Sequence, residues 1–258
     1  MSNKVKIFDV GRIKSQIINT FREEVMNTLE SHPEIYKPKY HKMMNVKFSY
    51  STILFVEDEL FRPNKDKKSF SRQFIINTFN DGALKRDSRP CYATFGGETD
   101  DKGKLRLTKL VVKVNLDLFI ESALHHIWDF DNYMNIMVRN HARHEAGHLL
   151  HYIQNYDGKD YEDVKKQRAG VKKERDTWYA WLKEITDDGK NPITREISAE
   201  SYRRYFNISV EAMADKFGNV EREKTINYSL DMATMSADIV IKTKRVFGPN
   251  KKTNDCSK

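Results

Sequence analysis

Between residues 132 and 155 the apolar residues and the metal-ligand types recur on two different sides of one predicted helix. At about 100° per residue, Ala142, Ala146, Leu149 and Ile153 fall on one side, while His141, His144, Glu145, His148 and Tyr152 share another. The first side needs a core to cover it, and the second carries titratable groups. Residues four apart stand one turn above the other, with Cβ atoms ~5–6 Å apart, so His144 and His148 can close on one metal ion with Glu145 beside them. Asp129 or Asp131 is the expected cap, and Asp157-Gly158 the expected stop. Ala146 and Gly147 are small enough to let a neighbouring element approach the backbone closely.

A catalytic metal needs three protein ligands and an open position, so two histidines are insufficient. Glu211 and Asp215, four apart on a later short helix, are candidates for the third. His141 and His151 are candidates for a substitute ligand or a supporting hydrogen bond, whereas His125 and His126 read as surface or loop residues. Tyr202, Tyr205 and Tyr228 could each offer a phenol to a tetrahedral intermediate.

His144-Glu145-Ala146-Gly147-His148 is an HExxH string, the pattern of zinc hydrolases, and Glu211, Ala214 and Asp215 follow as Glu-x-x-Ala-Asp. Together they resemble the gluzincin metallopeptidases among the zincins. The resemblance implies zinc held by His144, His148 and Glu211, with Asp215 orienting a ligand histidine and Glu145 as general base. It implies an α+β, zincin-like fold: a small, mostly antiparallel sheet packed on the active-site helix, with a largely helical C-terminal half. It implies hydrolysis of peptide bonds in a protein or peptide substrate, lying extended along an edge strand. Lys113, Val114 and Asn115, in the alternating stretch 109–116, are the substrate-strand candidates. The same five residues also resemble the membrane-bound ATP-dependent zinc proteases, whose third ligand is an aspartate, which would favour Asp215. Peptide deformylases use an upstream cysteine, the role Cys91 would fill, but their Glu-Gly-Cys context is absent. The gluzincin likeness spans residues 104–218.

Around this centre, Ile13, Ile17, Phe21, Val25 and Leu29 predict an amphipathic helix over 10–31. A strand is expected at 45–56, a loop at 63–66, a helix at 69–79 and a strand at 91–95. The last of these should form a hairpin with a strand from Leu105 to Leu116, switching register near Thr108. Helices are expected at 161–185, anchored by Trp178, Trp181, Leu182 and Ile185, at 194–206, after a capping Ser209, and at 221–246. One domain should cover 1–247, with helix and sheet in 1–128 and the helical part in 129–247, before a disordered tail at 248–258.

A chain of 258 residues, 39% hydrophobic and 32% charged, is long enough for a single domain with a genuine core. No apolar run could span a membrane and none follows Met1 as a signal peptide, so a cytoplasmic location is expected. Two cysteines, Cys91 and Cys256, make no disulfide framework. The net charge of +8 admits a second class of function, a non-catalytic basic protein that binds nucleic acid and whose metal is structural or absent. The densest basic runs, at 165–168 and 172–175, are however interleaved with Glu162, Asp163, Glu174 and Asp176, the pattern of a solvated helix face. Size and Lys, Asn and Ile usage are compatible with a bacterial or phage protein.

Overall fold

Ile13, Ile17, Phe21, Val25 and Leu29 recur every fourth residue, and in the computed structural model they form the buried side of α1 (Val10–Glu30). Each such side chain, removed from water, contributes roughly 1.5–3 kcal/mol. The structure describes residues 10–49, 89–126, 129–187 and 193–231. The expected loop at 63–66, the helix at 69–79, the distal part of the 45–56 strand, the end of the last helix and the tail lie outside the described residues.

A short helix, α2 (Pro38–His41), leads into β1 (Met44–Ser49). With β2 (Cys91–Thr99) and β3 (Leu105–Asn115) it makes a three-stranded sheet in the order β1-β3-β2. The sheet is mixed, not mostly antiparallel: β2 pairs with β3 antiparallel as a hairpin, but β1 runs parallel to β3. A parallel pair needs a long connection, and the residues between β1 and β3 supply one. The register shifts at Gly96/Gly97, where Gly96 faces Lys109 and Gly97 faces Leu107, leaving Thr108 as the extra residue.

β3 is the central strand, so the stretch expected to receive a substrate is already paired on both sides. Lys113 pairs with Lys47 and Tyr92, Val114 with Phe48 and Cys91, and Asn115 with Ser49. Neither edge of that stretch is open to an added strand. Leu110, Val111 and Val112 are buried in succession, which places β3 under cover on both faces. Among the described residues β1 and β2 each pair only with β3 and are the two edges.

Leu116 does not end the strand but starts α3 (Leu116–His125), whose Leu116, Phe119, Ile120 and Ala123 are buried at helical spacing. His126, after it, is buried rather than on the surface. Helix α4 (Phe130–Asn132) and a π-helical stretch, Tyr133–Val138, then lead into α5 (Arg139–Tyr156). Asp129 precedes α4, but its carboxylate accepts from the Asn132 side chain at 2.8 Å instead of capping the backbone.

Helix α5 packs against α1, β2 and β3, with Ala142, Ala146, Leu149 and Leu150 fully buried. Glu24 of α1 holds both Arg139 and Arg143 of α5. Beyond its C-terminus Asp157 accepts from Lys39 and Tyr40, each at 2.7 Å, and from the Leu107 backbone N–H at 3.0 Å. The helix is therefore tied at both ends to the rest of the core.

Asp160 caps α6 (Tyr161–Ile185) through the backbone of Glu162 and Asp163, and only Val164 of that helix is buried. Its expected anchors are partly covered: Trp178 donates from Nε1 to the Ser201 carbonyl of α7 (Arg195–Phe206) at 3.0 Å, while Ile185 is exposed. Next comes α8 (Ser209–Gly218), followed by helical residues 222–231. No helix among the described residues is long and apolar enough to cross a membrane.

Helices α5 and α8 touch backbone to backbone. A Cβ on Gly147 would collide with the Ala214 carbonyl oxygen, and one on Gly218 with the Arg143 carbonyl oxygen, so glycine at both crossings lets the helices meet. Gly147→Ala is accordingly expected to push α8 outward and destabilise the protein by about 2 kcal/mol or more, measured by thermal unfolding. A Gly147→Ala protein as stable as the parent would show that α8 does not sit so close.

Candidate metal centre

The α5–α8 crossing brings Glu211, in the first turn of α8, over the one-turn pair His144 and His148 of α5. The Nε2 atoms of His144 and His148 lie 3.1 and 3.2 Å from Glu211 Oε2. One ligand atom from each of the three residues lies within 4.8 Å of the others, and all three residues are buried. Ligands at ~2.0–2.1 Å around a tetrahedral metal ion sit roughly 3.3 Å apart, so the two N···O spacings suit atoms that share one ion. The three could hold a metal ion.

Asp215 lies one turn after Glu211 and meets His144 from the other side of the ring: its Oδ1 accepts from Nδ1 at 2.6 Å. That leaves Nε2 facing Glu211 and fixes the imidazole orientation, the arrangement that carboxylate partners impose on ligand histidines. Asp215 is itself held by Arg222, whose Nε donates to Oδ2 at 2.7 Å and whose guanidinium lies over the Phe206 ring. Glu211 is likewise divided between two tasks. Its Oε1 accepts from Arg175 Nη2 at 2.6 Å and from the Tyr205 hydroxyl at 3.2 Å, while Oε2 faces the histidines. Arg175 and Tyr205 thus assign one oxygen of the carboxylate to the metal position.

The first turn of α8 is itself held by α6. Ser209, expected as the cap, instead donates from its backbone N–H and its hydroxyl to Glu174 at 2.7 and 2.9 Å. Ile208 occupies the N-cap position, and an isoleucine side chain offers no acceptor. Adjacent residues Glu174 and Arg175 therefore fix both the start of α8 and its ligand carboxylate.

Charge follows the geometry. Burial alone would lower the His144 pKa, but the hydrogen bonds with Asp215 and Glu211 and the charge of Glu145 outweigh it and raise the value from 6.5 to about 9. Burial would raise that of Glu211, and the hydrogen bonds from His144 and His148 carry it well below the usual carboxylate range. Both shifts come from the same close contacts between the carboxylates and the imidazoles.

Glu145 follows His144 on the helix and is buried, with Oε1 at 3.3 Å from Cys91 Sγ of β2. Cys91 thus meets the carboxylate beside the ligands and is not in the three-residue group. The other sequence candidates stand apart from it. His141 donates from Nδ1 to the Met137 carbonyl at 2.7 Å and meets Phe119 edge-on, and burial lowers its pKa to about 4. His151 accepts from Asn155, and burial together with the nearby His148 lowers its pKa to about 4. Tyr228 donates to Asp129 and Tyr202 is exposed, so of the three tyrosines only Tyr205 contacts the cluster.

Arg175, Arg222 and Glu174 escaped the sequence reading. Arg175 is one cation among many on a charged helix, and nothing local distinguishes it from Lys172 or Lys173. Compared with protein-family models, curated proteins and solved structures, the chain gives no match.

Proposed function

We propose that this chain is a zinc-dependent peptidase that hydrolyses peptide bonds of a protein or peptide substrate, with Glu145 as general base. The support is the meeting of His144, His148 and Glu211 at one buried point, with His144 held by Asp215 and Glu211 by Arg175, and with Glu145, a second buried carboxylate, next to His144 on α5. A zinc ion held by those three residues would supply Lewis acidity and bring a water toward ionisation near neutral pH. Glu145 accepts the proton of the attacking water and passes it to the departing amine nitrogen. Asp215 keeps the His144 ring in place through the cycle, and Arg175 and Tyr205 do the same for Glu211. With β3 enclosed, an extended substrate segment would pair instead along the outer edge of β2, which packs on α5.

The purified chain is expected to carry one zinc per molecule and to cleave members of a mixed-sequence peptide library, read by mass spectrometry. Chelation should abolish cleavage and zinc should restore it. A chain that holds no metal, or cleavage that survives chelation, would overturn the proposal.

A further inference from the structure

Glu145 has two carboxylate oxygens in different circumstances. Oε1 is 3.3 Å from Cys91 Sγ, whereas Oε2 is buried with no hydrogen-bond partner among the described residues. A buried carboxylate oxygen without a partner carries a desolvation cost, and folded proteins seldom retain one where no chemistry uses it. The contact is made between two fixed elements. Cys91 opens β2 opposite Val114 of the central strand, and the Asn115 N–H donates to the carbonyl of Pro90, its neighbour, at 2.8 Å. Glu145 is set by α5, which the core holds at both ends.

Resting on the reading of Glu145 as the proton-transfer group, we propose that Cys91 is its positioning residue: the thiol donates to Oε1, fixes the carboxylate rotamer, and leaves Oε2 for the water. An S–H is a weak donor, and a carboxylate is the acceptor that suits it best. Burial, and then the Glu145 charge beside it, push the Cys91 pKa well above the ordinary thiol range, so the group stays an S–H donor. A buried, protonated thiol is a poor nucleophile and a poor metal ligand, which leaves orientation as the function this contact can serve. Nearby, Tyr152 donates to the Ala93 carbonyl of the same strand and stacks on His148, so β2 supports two consecutive turns of α5 on the ligand side.

Spectroscopy and kinetics test this separately. Cys256→Ser leaves Cys91 as the only thiol, and the S–H stretching band of that protein is then recorded with and without Glu145→Ala. A donating thiol should absorb at lower frequency with Glu145 present and shift upward when the carboxylate is removed. On the zinc-loaded chain, with the best-cleaved library peptide as substrate, Cys91→Ala should lower kcat by about 10–100-fold, as lost orienting partners do. KM, zinc content and circular dichroism should be unchanged, and Cys91→Ser, which restores a donor, should recover most of the loss. A band that ignores Glu145→Ala overturns the inference, as does Cys91→Ala with undiminished kcat. Loss of zinc in Cys91→Ala would also overturn it, by making the cysteine a ligand. A shifted band in a chain that cleaves no peptide would support the thiol–carboxylate contact and defeat the peptidase proposal instead.

Discussion

Glu145→Gln is expected to keep zinc and fold and to lose hydrolysis, with kcat lower by about 10²- to 10⁴-fold, the range for removing a general acid–base group. The amide has the shape of the carboxylate, so packing beside Cys91 and His144 is preserved. It cannot take a proton from water. The parent side chain is 4% exposed and its Oε2 has no partner among the described residues, so the amide loses no hydrogen bond at that atom. The variant should therefore melt at the same temperature as the parent, and that result separates a catalytic role from a structural one. Peptide cleavage rate, zinc by atomic absorption and the melting curve are the three measurements. Undiminished cleavage by this variant would sink the mechanism.

Glu211→Ala is expected to abolish stable zinc binding, and Asp215→Ala only to weaken it. Oε2 of Glu211 faces the Nε2 atoms of both histidines, whereas Asp215 meets His144 at Nδ1, on the opposite side of the ring. Loss of a supporting carboxylate typically costs about 10–100-fold in metal affinity, and loss of one of three ligands costs more. Truncation at Glu211 also strips the partner from Arg175 and Tyr205. Arg175 is 48% exposed in its side chain and can turn to water, but the Tyr205 hydroxyl is more enclosed, so Glu211→Gln serves as the shape-preserving control. The measurement is zinc titration against a chromophoric chelator for all three variants. Zinc retained by Glu211→Ala and lost by Asp215→Ala would reverse the assignment.

How far the sequence led follows from the range of the signals it carries. The pairing of His144 with His148 depends only on the helical repeat, so it is visible in five residues. Glu211 and Asp215 are visible for the same reason, as two carboxylates one turn apart, but which one reaches the metal depends on how α8 crosses α5. That crossing is set by Gly147 against Ala214 and Gly218 against Arg143, pairs far apart in the chain. The smallness of Gly147 announced a close approach without naming the partner.

The sheet divides in the same way. Alternation located β3, and the bulge at Thr108 followed from a break in that alternation. Which strand lies in the centre is not a local property. The parallel pairing of β1 enclosed Lys113, Val114 and Asn115 and left β1 and β2 as the edges among the described residues. Leu116 was misread as strand because a strand and a following helix can share an apolar residue at their junction, and periodicity alone does not mark the change.

By itself the sequence determined that a helix would present His144, Glu145 and His148 together and that a later helix would offer a carboxylate pair, because both rest on a repeat of about 3.6 residues. Tertiary structure alone decided that Glu211 faces the histidines, that Arg175 and Tyr205 hold its other oxygen, and that Cys91 meets Glu145. Those contacts join residues from separate helices and a strand. Their geometry is fixed only when the core between α1, α5 and the sheet has closed.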